Sequence, residues 1–480
     1  MITSMNRRRF VQNTVALAAA NSLRLSAQQS PVAPLTARPA AAERRFTSTA
    51  IEAAIATLQT QIADRELAQI FSNCFPNTLD TTVFQSEIDG RPDTFVITGD
   101  IDAMWLRDSS AQLYPYVAFA AKDQQLSLLI EGAIHRLTRS ILLDPYANAF
   151  TRDANTPALS WSLQDHTQMK PGVAERKWEI DSLCYPVRLA HHYWKSTGST
   201  AVFDSSWHEA TRLILQTFRQ QQRLTSPGPY SFQRSTPNPG DTVPLSGFGN
   251  PAKPNGLIHS AFRPSDDATI FPFFIPANLF AISALQKMAE VLHQVYSDTK
   301  LAAECTILAT VVQRAVEAHG IVHHPAYGSI YAYEVDGFGG VNLMDDANAP
   351  SLVSIGYLVP SLATNPVYQA SRKFALSSSN PYFFSGKAGE GIGGPHVGLD
   401  YIWPMSIIMR ALTSQDDLEI RRSLRMLRDT TAGTHFMHEA FQKDNPNDFT
   451  RPWFAWANTL FGELIVSLSK SRPAILRETL

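Results

Sequence analysis

Residues 278–295 read NLFAISALQKMAEVLHQV, and Leu279, Ile282, Leu285, Met288, Val291, Leu292 and Val295 fall at steps of three and four. That spacing lays one apolar stripe along a helix. Residues 300–319 repeat it with Leu301, Cys305, Leu308, Val312 and Ala315, and Gly320 follows where a left-handed C-cap is expected. Residues 126–143, 180–194 and 404–412 read the same way, whereas strand-like alternation appears only in short pieces such as 94–98 and 329–334. Residues 47–480 are therefore read as one all-α domain. Two long loops rich in Gly and Pro, 226–264 and 380–398, interrupt the helices. Loops of that length inside a compact enzyme form lids or site walls. A barrel of paired helices gathers such loops at one end, although periodicity alone does not separate it from a helical solenoid.

Lys plus Arg number 41 against 43 Asp plus Glu, a formal net charge of -2. Such a balance gives no general attraction to nucleic acid or anionic lipid, so the ligand is neutral or recognised locally. Aromatic residues, at 10%, suit both a large helical core and stacking against sugar rings. Cys74, Cys184 and Cys305 show no metal-binding spacing and are read as buried free thiols. No metal or other cofactor is expected, and no run approaches the roughly 20 apolar residues of a membrane span.

Ahead of the domain, Arg7, Arg8, Arg9 and Phe10 precede a weakly apolar, Ala-rich run from Val15 to Ala20. That order is the architecture of a signal peptide, and residues 6–12 resemble a twin-arginine export motif. The expectation is a cleaved leader over 1–27, a flexible Pro/Ala linker over 28–46, and a periplasmic or secreted destination.

Five segments concentrate Trp, Arg, His and carboxylates: residues 97–109, 175–182, 260–267, 391–398 and 437–441. A pocket for a neutral sugar needs carboxylates and Arg for its hydroxyls and aromatic faces for its ring. Cleaving a glycosidic bond takes two further carboxyl groups, one of them kept protonated by burial or by a neighbouring charge. Asp266 beside Asp267 offers such a neighbour, and Glu439, next to His438, is a candidate base. Read singly, each has a plainer explanation. An adjacent Asp pair is commonly a helix N-cap and first-turn acid, and Asp345-Asp346 is a second such pair. Glu439 lacks the second His of an HExxH zinc site.

Taken in order, the motifs Gly99-Asp100-Ile101-Asp102-Ala103-Met104-Trp105-Leu106-Arg107-Asp108-Ser109, Glu179-Ile180-Asp181-Ser182-Leu183-Cys184-Tyr185-Pro186, Phe262-Arg263-Pro264-Ser265-Asp266-Asp267-Ala268, Gly394-Pro395-His396 and His438-Glu439-Ala440-Phe441 resemble glycoside hydrolase family 125. Residues 144–150 and 344–348 extend the resemblance, which runs from about Phe71 to Glu463. It implies an (α/α)6 barrel and metal-independent, inverting exo-α-1,6-mannosidase activity on the non-reducing ends of mannans or N-glycan-type oligosaccharides. It places the acid on the Asp266–Asp267 pair, with the reading leaning to Asp266, and the base on Glu439. Asp100, Trp105, Arg107, Asp108, Glu179, Asp181, Arg263, His396 and His438 are the expected sugar-binding residues. Asp102 stands where the family motif is expected to carry proline, and the loop before Phe262 is long for the family. The competing readings are a helical-barrel glycosidase of another sugar or linkage and a non-catalytic mannan-binding protein.

Overall fold

The computed structural model describes residues 37–480; the expected leader and residues 28–36 of the expected linker lie outside them. All five helices anticipated from periodicity are present, as Gln124–Leu143, Ile180–Thr197, Ile275–Gln294, Thr299–His319 and Pro404–Leu412. Within 37–46, Arg38 bonds the carboxylates of Glu52 and Asp80 and Phe46 is buried, so these two residues anchor the segment to the domain, while most of the others are exposed.

Twelve helices form the barrel. The outer ones are α1 (Arg65–Cys74), α3 (Gln124–Leu143), α5 (Ser205–Gln221), α7 (Thr299–His319), α9 (Pro366–Ala375) and α11 (Asp417–Asp429). The inner ones are α2 (Leu106–Leu113), α4 (Ile180–Thr197), α6 (Ile275–Gln294), α8 (Ile355–Leu358), α10 (Pro404–Leu412) and α12 (Ala455–Ser471). Inner helices pack on one another in the order α12, α2, α4, α6, α8, while α10 packs on α12. Outer helices pack on inner ones, α3 on α4, α7 on α6 and α11 on α10. The ring is closed by α1, at the start of the chain, against α12 at its end. There Cys74 Sγ lies 3.2 Å from Asn458 Oδ1 and the Thr78 and Thr459 hydroxyls are 2.9 Å apart. This is the (α/α)6 architecture.

Inner and outer helices differ at their N-termini. Every outer helix begins on an Asp or Asn whose side chain accepts from its first-turn amides: Asp64, Asp123, Asp204, Asp298, Asn365 and Asp416. No inner helix has a side-chain cap; their N-cap residues include Trp105, Glu179, Phe274, Trp403 and Phe454. The amide-rich, partly positive starts of the inner helices are thereby left to the loops around them. Short strands pair ahead of several of these starts, among them Met104–Trp105 with Ala149–Phe150 and Tyr401–Ile402 with Phe441–Gln442.

Two local readings are corrected. The helix α6 carries more than a stripe: Ile275 to Leu285 are buried on every side, Asn278 and Ser283 included, as an inner helix requires. Gly320 has a right-handed conformation. A side chain there would come within 3.0 Å of Ile275, so glycine serves the close approach of α7 to α6. The three cysteines are buried free thiols, as read.

Candidate active site

The loops that precede the inner helices surround a cavity of about 360 Å³. The 104–108 segment contributes Trp105, Arg107 and Asp108, the 263–267 turn Asp266 and Asp267, the 380–398 loop His396, and the segment before α12 Glu439. Seven of the predicted residues therefore converge, including all three candidate catalytic carboxyls.

The adjacent aspartates are not a helix cap, since α6 starts only at Ile275. They occupy a tight turn in which Arg263 N donates to Asp267 O at 2.8 Å and Asp266 N donates to Arg263 O at 2.9 Å. Asp266 takes a left-handed conformation (φ 65°) there, an unusual one for a residue with a side chain. The two carboxyls consequently face different partners. Asp266 Oδ1 accepts from Arg107 Nη2 and Asn148 Nδ2, both at 3.2 Å. Asp267 accepts from Ser265 Oγ at 3.0 Å and lies 3.5 Å from His396 Nδ1. The other pair, Asp345-Asp346, is structural: Asp345 accepts from the amides of Leu352 and Val353.

Charge in the site is crowded. Burial alone raises a carboxyl, yet Arg107, Lys177 and a hydrogen bond from Glu179 hold Asp266 down to about 2. His396 is pushed up to about 9: burial opposes its charge, but Asp267, Glu439 and Asp266 outweigh it. Its side chain is nonetheless 39% exposed. Glu439 pairs with Arg451 at 3.3 Å.

Five expected sugar-binding residues stand behind the wall instead of in it. Glu179 and Asp181 are fully buried beneath Arg107, at 3.5 and 3.7 Å from its nitrogens. Burial raises both carboxyls, Asp181 to about 7. Asp100 is ion-paired with Arg451 and braces it. Arg263 is buried on Glu334 at 2.6 Å. His438 lies between the carbonyls of Pro452 and Thr431 and stacks on Phe449, fixing the backbone that presents Glu439. Each was legible as a polar residue in a motif, but a motif does not tell wall from foundation.

Other lining residues were not anticipated. Arg451 sits between Thr450 and Pro452 ahead of an aromatic run, Trp453-Phe454-Ala455-Trp456, and a cation beside such a run was the available signal. Arg234 and Asp241 come from the long 226–264 loop, which is a site wall as expected. They join Glu175 and Lys177 in an ion-pair network. Asp102, the departure from the expected motif, is exposed and pairs with Arg152 outside the cavity. Among the described residues no group of three or more His, Cys, Asp or Glu side chains is arranged to hold a metal ion, and no helix is long and apolar enough to cross a membrane.

Comparison with known proteins agrees with this arrangement. The sequence profile described as "Metal-independent alpha-mannosidase (GH125)" matches residues 64–466. The Meiotically up-regulated gene 157 protein of Schizosaccharomyces pombe is 41% identical over 457 residues, 92% of this chain and 90% of that protein. A Streptococcus pneumoniae metal-independent alpha-mannosidase, solved as a non-productive complex with alpha-1,6-mannobiose, superposes with a TM-score of 0.85. It is 38% identical, over 89% of this chain and all of that one. A GH78 family rhamnosidase of Bacillus sp. GL1 (TM-score 0.50, 13% identity, 90% of this chain and 36% of that one) shares the fold alone. The chain belongs to glycoside hydrolase family 125, the metal-independent alpha-mannosidases.

Proposed function

We propose that this alpha-mannosidase is exo-acting, removes non-reducing terminal α-1,6-linked mannose, and inverts the anomeric centre. The observation that carries the reading is the convergence of Asp266, Asp267 and Glu439 on one cavity. Its volume lies near the lower end of the ~300–1,000 Å³ of small-ligand pockets, which suits a chain end better than the middle of a polymer. In an inverting hydrolysis one carboxyl group protonates the leaving oxygen while a carboxylate across the ring takes a proton from water. Glu439, with Arg451 beside it to balance its charge, is the base. Asp266 is the acid: its side chain is 24% exposed against 7% for Asp267, and Asp267 is engaged by Ser265 and His396. The linkage is favoured by the alpha-1,6-mannobiose complex of the pneumococcal relative, a member of a family connected with the processing of N-linked glycans. Mannans or N-glycan-type oligosaccharides are the substrate class. Delivery to the periplasm or beyond by a twin-arginine leader is proposed from residues 6–20 of the sequence.

The test is hydrolysis of α-1,2-, α-1,3- and α-1,6-mannobiose followed by NMR from the first turnovers. The expected result is preference for the α-1,6 isomer and β-mannose as first product. α-Mannose as first product, or no preference among the isomers, rejects the corresponding part of the proposal.

A further inference from the structure

Four carboxyl groups surround one guanidinium. Asp108, Glu179, Asp181 and Asp266 lie 3.3, 3.5, 3.7 and 3.2 Å from nitrogens of Arg107. Arg107, even with Lys177 acting on Asp266 and Arg451 on Asp108, is outnumbered by these four carboxyls, which favours retention of protons in the cluster. The place of one of them is marked by geometry. Glu179 Oε2 accepts from Ser182 Oγ at 2.7 Å, but Glu179 Oε1 is buried and receives no N–H or O–H from the protein. Its carboxyl and that of Asp266 flank the same guanidinium, Glu179 at 3.5 Å from Arg107 Nη1 and Asp266 at 3.2 Å from Nη2, which brings the two carboxyls together. Two carboxyls in that relation share one proton; two carboxylates there would repel, and a buried oxygen without a donor is costly.

We propose that Glu179 is a positioning residue that loads the acid: Glu179 and Asp266 form a carboxyl pair with one shared proton, held on the buried partner between turnovers. The proposal rests on the assignment of Asp266 as the acid. When the glycosidic oxygen arrives, the proton passes from Glu179 to Asp266 and from Asp266 to that oxygen. The C1–O bond breaks, its electron pair leaving with the departing oxygen. A water oxygen bonds to C1 and its proton goes to Glu439. The pair ends with no proton and Glu439 with one; exchange with solvent at the open side of the cavity restores both.

The surroundings agree. Glu179 is raised well above the ordinary carboxyl range by burial, with Asp266 and Asp181 adding to the effect and Arg107 opposing it. Arg107 faces it from α2, Asp181 from the first turn of α4 and Asp266 from the 263–267 turn, while Tyr230 approaches from the long loop. Lys177 bonds the Asp266 carbonyl at 2.8 Å and helps keep its carboxyl ionised at rest. A lone Asp266 so surrounded would be a poor acid. A paired one has its proton one hydrogen bond away.

The experiment compares the wild type, Glu179→Gln, Glu179→Asp and Asp266→Asn on α-1,6-mannobiose and on 2,4-dinitrophenyl α-mannoside, whose leaving group needs no protonation. Glu179→Gln supplies a fixed amide donor in place of a transferable proton. It is expected to lower kcat on mannobiose about 10²–10³-fold with KM little changed, and to leave the activated substrate within about fivefold. The alkaline limb of the pH profile should disappear, and Glu179→Asp should recover part of the rate. Equal losses on both substrates, or a loss confined to KM, overturn the proposal. Asp266→Asn damaging both substrates alike, while Asp267→Asn shows the leaving-group split, instead removes the acid assignment beneath it. Infrared spectra at pH 7 give a second measurement, independent of whether the Glu179 variants fold. A protonated-carboxyl stretch that shifts in Asp266→Asn supports the pair, and its absence from the wild type, or indifference to that substitution, overturns it.

Discussion

Arg451 Nη1 lies 3.3 Å from Glu439 Oε1, while its Nη2 is tied to Asp100 and to the Thr98 carbonyl at 3.1 Å. The base of the proposed reaction is thus held by a cation that lines the same cavity and is itself anchored to the 97–109 motif. Glu439→Gln preserves shape and a hydrogen-bonding oxygen but cannot accept a proton. Turnover should fall by about 10²–10⁴-fold, with mannobiose binding, followed by calorimetry, largely retained. Binding lost together with turnover would assign Glu439 to recognition of the sugar instead.

His396 is expected to titrate near pH 9. Because its folded value lies above the unfolded 6.5, the stabilisation from its charge is complete below pH 6.5 and is lost as pH rises toward 9. Asp267→Asn should bring the titration down toward 6.5, read from the His396 ring resonances by NMR. An unchanged titration in that variant would show that Asp267 is not its main partner.

Ring closure can be tested without touching the chemistry. A methyl group at Gly462 in α12 would come within 2.9 Å of the Phe75 backbone, where α1 ends. Gly462→Ala should cost ~1–3 kcal/mol by overpacking, measured as a lower thermal midpoint, while kcat of the folded fraction is unchanged. An unaltered midpoint would mean the two helices can separate freely.

The export reading predicts that Lys at both Arg7 and Arg8 retains precursor in the cytoplasm, followed by fractionation in a bacterial host. Normal delivery of that variant would point to another route or to none.

What the sequence disclosed follows from the two kinds of helix. Outer helices such as α7 have one wet face, so their periodicity shows in Leu301, Cys305, Leu308 and Val312. Inner helices are buried all round at their starts, and α6 was read from Asn278 although it begins at Ile275. No capping side chain marks such a start, and α8 is a four-residue helix beyond the reach of any period. In the site, the carboxyls of the motifs were legible because glycosidic chemistry calls for them in pairs. The layer each residue occupies was not. Glu179 and Asp181 lie two and four residues from Lys177, which lines the cavity, and depth in a barrel leaves no trace in composition. Arg234 and Asp241 belong to a loop without periodicity, so only the fold could bring them in.

The uncapped inner helix starts set a limit on how this enzyme can be stabilised. A Ser, Asp or Asn at an N-cap is among the simplest stabilising substitutions, commonly worth ~1 kcal/mol. On the outer ring those positions are already taken. The vacant ones include Trp105, Trp403 and Phe454, which line the cavity. Selection for heat resistance would therefore be driven toward the residues that shape the pocket, and gains there would be made at the expense of turnover.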